Sequence, residues 1–132
     1  MIQRVQTLYL IFSILICILT FYLFPLELEK KIFFGFDHLL IFEKYFFVLI
    51  SIISFVSILL FRKRGLQIYL NRVSMFLICL FAISFVLFNK YNFDLNHYKI
   101  LSSAVINLIL IIFANKSISK DKKLIDSINR LR

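Results

Sequence analysis

The chain has 132 residues, 61% of them hydrophobic, with sixteen Lys and Arg against seven Asp and Glu and a formal net charge of +9. Two Gly and one Pro exclude collagen-like, linker-rich and disordered classes, and so high an apolar share, above the roughly 45–50% of soluble domains, cannot be hidden in one small core. In a soluble chain the charge points to nucleic acid; here the cations flank apolar runs, so they read as topology signals and headgroup contacts, and no nucleic-acid partner is expected.

Met1-Ile2-Gln3-Arg4 leads into an uncharged run from Val5 to Leu26. At about 1.5 Å per residue it is ample for a hydrocarbon core of about 30 Å. It exceeds the roughly 7–15 apolar residues of a signal peptide, and Thr20-Phe21-Tyr22-Leu23-Phe24-Pro25 offers no small-x-small cleavage site. We expect an uncleaved first helix that stops near Pro25. Ser13, Cys17 and Thr20 share one face at helical spacing. Small, weakly polar side chains let helices approach, so this face is expected to point into a bundle.

Leu26 to Lys44 is the longest connection. Leu26-Glu27-Leu28-Glu29-Lys30 alternates and Ile32-Phe33-Phe34-Gly35-Phe36 is β-prone, consistent with a small hairpin or interfacial lid over 26–44. Tyr45 to Phe61 is a second uncharged run, adequate to cross if Lys44 and Arg62 snorkel, with Ser51, Ser54 and Ser57 on one face. The stretch from Arg62 to Arg72 then carries four cations and no acid. Leu66, Leu70 and Val73 follow helical spacing within it, so the third helix is expected to start near Leu66 and to run to Asn89. Lys90 to Lys99 is a short polar loop whose Tyr91 and Tyr98 suit a membrane interface. Ile100 to Asn115 is the fourth run, with Ser103 and Asn107 one turn apart on one face.

The tail, residues 116–132, holds six cations and two acids. On a helical wheel Ile118, Leu124, Ile125, Ile128 and Leu131 fall in one arc, Lys122, Lys123, Asp126 and Arg130 fall opposite, and Asp121 and Arg132 intrude on the apolar side. This predicts a basic amphipathic helix whose apolar arc is buried against headgroups, the central basic stretch or a partner. The N-terminus, the central basic stretch and the tail together hold eleven cations, and the other two connections five. Lys and Arg are retained in the cytoplasm, so four crossings with both termini inside fit best. The expected fold is therefore all-α: an integral membrane four-helix bundle over residues 1–115, with helices at about 5–26, 45–61, 66–89 and 100–115, and a cytoplasmic amphipathic C-terminal helix over 116–132.

Both ends of the chain support a family resemblance. Met1-Ile2-Gln3-Arg4-Val5-Gln6-Thr7-Leu8-Tyr9-Leu10, the central Leu66-Gln67-x-x-Leu70, and the ending Ala114-Asn115-Lys116, Lys120-Asp121 through Leu124 to Arg130-Leu131-Arg132 resemble a family of small four-helix membrane proteins from Bacteroidetes, domain-of-unknown-function family 4293. The likeness spans the full length. It implies four helices and a bacterial inner-membrane location, and it implies no activity. Ser117 and Ser119 depart from the more helix-prone residues expected there.

The chemistry is sparse. No apolar run contains Asp, Glu, Lys, Arg or His, groups that ion-coupled transporters and proton relays carry inside the bundle. Asn107 is the one strongly polar side chain well inside a run, and an interhelical hydrogen bond is the preferred reading over a substrate contact. His38 and His97, near Asp37 and Asp94, are too weak a pattern for zinc. Cys17 and Cys79 read as small hydrophobes. No nucleophile triad, P-loop or dinucleotide fingerprint occurs, so no catalytic residue, cofactor or metal is expected.

Two residue sets remain. Ser13, Cys17, Ser54, Ser103 and Asn107 are expected to pack helix against helix. Arg62, Lys63, Arg64, Arg72, Lys116, Lys120, Lys122, Lys123 and Arg130 are expected to meet anionic lipid or an acidic partner on the cytoplasmic face. The reading that follows is a non-catalytic accessory or scaffold subunit; a small oligomeric channel or transporter comes second and a membrane enzyme third. A polar cavity through the bundle would favour transport, and a closed, Phe- and Leu-packed interior the scaffold.

Overall fold

The computed structural model describes residues 3–23, 37–88 and 95–130, which form α1 (Gln3–Leu23), α2 (Asp37–Leu59), α3 (Arg64–Phe88), α4 (Leu95–Arg130) and the turn between α2 and α3. Each helix buries side chains at steps of three and four, with Phe46 beside Phe47 as an added member on α2. On α1 these are Gln6, Leu10, Ser13, Cys17 and Thr20; on α2, Phe46, Phe47, Ile50, Ser54 and Ser57. On α3 they are Gln67, Asn71, Ser74, Ile78, Phe81 and Phe85; on α4, Ile100, Ala104, Asn107, Ile111, Ala114, Ile118 and Asp121. A mean step of about 3.5 residues keeps one seam facing the neighbours and is the spacing of left-handed coiled-coil packing.

The helices close into a ring in which α1 packs on α2 and α4, and α3 packs on α2 and α4. Ser13 meets Asn107 and Gln6 meets Asp121, so α1 and α4 are antiparallel. Ser57 meets Asn71 while Phe46 stacks on Phe81, and Arg64 meets Asp121 while Phe85 packs on His97, so the other pairs are antiparallel too. The result is an up-down-up-down bundle. It brings the start of α1, the α2–α3 turn and the distal part of α4 to one end. The turn is only Leu60 to Lys63, held by the Leu60 amide on the Val56 carbonyl (3.1 Å) and the Lys63 amide on the Leu60 carbonyl (2.9 Å).

Three helical stretches are long and apolar enough to cross a membrane: Val5–Leu23, Arg64–Leu87 and His97–Ile128. The apolar part of α2, Tyr45–Leu59, is shorter. Outward positions along all four helices are large and apolar, among them Phe12, Phe55, Phe76, Ile83 and Ile106.

Besides the start of α4 at Leu95, which makes residues 95–99 of the expected polar loop helical, the structure differs from the sequence expectation in two places. First, α2 begins at Asp37, so residues 37–44 of the expected hairpin or lid are helical. Asp37, Glu43 and Lys44 interrupt the hydropathy without interrupting the helix; residues 24–36 lie outside the described part. Second, α4 is one helix of 36 residues with no break at the expected 115–116 boundary. Ala114, Ile118 and Asp121 carry the seam across it, and Ser117 and Ser119 do not stop it.

Candidate docking site at the cation-rich end

The buried seam changes chemistry along the bundle. At the end away from the α2–α3 turn it is aromatic. Phe46 stacks on Phe81 with centroids 4.4 Å apart, Phe47 meets Phe81 edge-on at 5.3 Å, and Phe85 stacks on Phe81 at 5.5 Å. Offset-stacked and edge-to-face pairs of this kind stabilise beyond their area.

Towards the cation-rich end the same seam turns polar. The Ser13 hydroxyl donates to Asn107 Oδ1 (2.5 Å), and Asn107 Nδ2 points at Cys17 Sγ (2.7 Å). The Ser57 hydroxyl donates to Asn71 Oδ1 (2.8 Å). Ser74 returns its hydroxyl to the Leu70 carbonyl one turn back, which satisfies it without a second helix; Thr20, nearer the aromatic end, does the same with the Ile16 carbonyl. Asn71 Nδ2 and the Ser54 hydroxyl are buried without a hydrogen-bond partner.

The seam ends on a carboxylate. Asp121 is buried between α1, α3 and α4, where the Gln6 side-chain amide donates to Oδ2 and the Arg64 guanidinium lies 3.9 Å from the same oxygen. A carboxylate withdrawn from water is costly unless hydrogen-bonded and charge-compensated, which is what Gln6 and Arg64 supply. Asp121 Oδ1 has no partner.

Beyond Asp121 the three-and-four spacing continues to Ile125 and Ile128, but the covering helices have run out: α1 starts at Gln3 and α3 at Arg64. Ile125 is 40% exposed, Ile128 64%, and Leu124 beside them 47%. Of the arc expected to be buried in the tail, only Ile118 is buried within the chain; Leu124, Ile125 and Ile128 are open, and Leu131 lies outside the described residues. Asp121, read as an intruder on that arc, is the buried member. The wheel drawn on the tail alone put the seam's centre too far round. Its phase is set by Ile111, Ala114 and Ile118.

The expected contact cations gather at this end. Arg62 and Lys63 stand exposed on the turn, and Arg72, Lys116, Lys120, Lys122 and Lys123 are exposed on α3 and α4. Lys122 Nζ lies 3.9 Å from the place a Cβ would occupy on Gly65, in the first turn of α3. Arg64 is turned inward to Asp121, and Arg130 closes α4. Of the expected packing residues, Ser13, Cys17, Ser54 and Asn107 are buried. Ser103 is half-buried and donates to the Ile100 carbonyl of its own helix. Asn107 is not the only strongly polar side chain inside: Gln6, Gln67, Asn71 and Asp121 join it, and two of the three crossing-length stretches include charged residues. The signal that finds them is the seam's phase, which ignores hydropathy. Among the described residues no three His, Cys, Asp or Glu side chains come together. His97 packs on Phe85 at 5.6 Å, and the His38 side chain lies outside the described ones.

The family model described as Domain of unknown function (DUF4293) matches residues 2–131. The chain belongs to this family. The DUF4293 match takes in all four helices, including the end of α4 that projects past Asp121, so that end lies within the family's domain. Neither a search of curated proteins nor one of solved structures returned a match.

Proposed function

We propose that this DUF4293 protein is a multi-pass protein of the bacterial inner membrane, with both termini in the cytoplasm, that acts as a non-catalytic accessory or scaffold subunit and docks a partner helix on the projecting end of α4. The observation that carries the docking is the seam itself. Ile125 and Ile128 continue a packing surface whose neighbours have ended, and Leu124 widens it. Coiled-coil positions of this kind are stable when a facing helix supplies the holes for them. The cations around them select a partner helix with acidic flanks.

Membrane embedding is supported by the outward apolar side chains on every helix, which in water would form an exposed patch far larger than soluble proteins tolerate. Orientation is supported by the cation count: among the described residues, ten Lys and Arg lie on the segments brought to one end. Reporters fused at Arg64 and after Arg132 should read cytoplasmic, and one at Glu29 external; an external signal at Arg64 overturns the orientation. For docking, the variant carrying Ile125→Ser and Ile128→Ser keeps every charge and should insert normally while losing co-purifying partners. Retention of all partners would remove the main support for a scaffold role.

A second reading, a small oligomeric channel or transporter, draws on the polar side chains from Asn107 to Asp121. The aromatic stack around Phe81 closes the far end of that column and weighs for the scaffold.

A further inference from the structure

A groove of about 490 Å³ runs along the outer face of the bundle between α3 and α4, apart from the projecting seam. Met75 and Ile112 line one end, and along α4 towards the other follow Asn115 and Lys116, then Ser119 and Lys120, then Lys123. We infer that this groove holds one anionic glycerophospholipid, its phosphate on the three lysines and its acyl chain along Ile112 and Met75. The inference rests on the membrane embedding proposed above and is independent of the docking of a partner.

The lysines stand at i, i+4 and i+7, one stripe on α4, and no carboxylate lines the groove with them. Like charges one turn apart repel, so the stripe gains from an anion laid across it. The order of chemistry along the groove then selects a lipid. Ile112 and Lys123 are separated by about 16 Å of helix. Apolar side chains lie at the bundle end and cations at the projecting end, which is the order of acyl chain, glycerol and phosphate in the leaflet at that end. A free phosphate has no use for the apolar half. An acidic protein would have to insert between the outward-facing Ile112 and Phe76, among positions that embedding assigns to lipid tails.

The test uses the full-length protein in mild detergent, with native mass spectrometry counting bound lipid. Extraction from the membrane fraction comes first, so a protein that is not embedded is recognised at that stage. With phosphatidylglycerol and phosphatidylcholine of identical chains, wild type should retain one phosphatidylglycerol with at least about tenfold preference, three lysines near one phosphate each contributing. Lys116→Gln, Lys120→Gln and Lys123→Gln together should abolish that preference. An equal charge change outside the groove, at Lys63, Arg72 and Lys122, should leave most of it. Met75→Trp, which fills the apolar end and leaves all cations, should also release the lipid, and this variant decides the matter if the triple lysine variant fails to insert. No preference in wild type, equal losses in the two triple variants, or full retention by Met75→Trp with displacement by glycerol 3-phosphate would each overturn the inference, the last pointing to a free-phosphate site.

Discussion

At one end of the bundle Phe46, Phe47 and Phe85 close around Phe81, and at the other Gln6 and Arg64 close around Asp121. Both groups sit on the same seam and both fill it. Rings attract through many weak, undirected contacts, so the aromatic end holds helices together while tolerating small shifts. A buried carboxylate is different. It is acceptable only with its donors in place, so the polar end makes one alignment of α1, α3 and α4 far better than its neighbours. The aromatic end is accordingly expected to dominate stability and the polar end to fix register.

The largest expected effect tests the first half of that contrast. Phe81→Ala removes the ring touched by three others and should cost about 3–4 kcal/mol in reversible unfolding from micelles or bicelles; a loss under about 1 kcal/mol would deny the aromatic end its anchoring role. Asp121→Ala comes next. It leaves the Gln6 amide without its acceptor and the Arg64 guanidinium without its counter-ion and should cost about 2–3 kcal/mol. Asp121→Asn, which keeps an acceptor for Gln6, should recover part of that loss. If both variants are neutral, the carboxylate does not fix register.

Much of this contrast was within reach of the sequence, though hydropathy alone was the wrong instrument for its polar half. The long apolar runs mark α1, α3 and the first part of α4 because lipid-facing and core-facing positions are both apolar there. Hydropathy fails where a helix carries charge without ending, as at Asp37 to Lys44 and again after Asn115. Gln67 and Asn71 lie in a stretch that reads as a cationic loop by composition, yet both fall on the three-and-four spacing that leads to Ser74, Ile78, Phe81 and Phe85. Asp121 follows Ala114 and Ile118 in the same way. Spacing carries the phase of a seam; composition reports only what solvent surrounds it. The pairing of Gln6 with Asp121, residues at opposite ends of the chain, depends on the closed ring of helices, and no local pattern announces it.

A smaller effect is expected between the two ends. Asn107→Leu removes the links to Ser13 and Cys17 and should cost about 0.6 kcal/mol, and under about 1 kcal/mol, in the same unfolding assay, as hydrogen bonds between membrane helices commonly do. A cost above about 2 kcal/mol would extend the register-fixing region inward from Asp121. The smallest effect on the isolated bundle belongs to Ile125→Ser with Ile128→Ser, which should shift its stability by no more than about 0.5 kcal/mol, because both side chains are already open.

The most direct measurement is site-specific photocrosslinking in intact cells. A photoreactive residue placed at Ile125 or at Ile128 should capture one protein partner, and the same residue at Asp126, on the face away from the seam, should capture it weakly or not at all. Crosslinks of equal strength from all three positions, crosslinks only to a second copy of the chain, or crosslinks only to lipid would contradict the account.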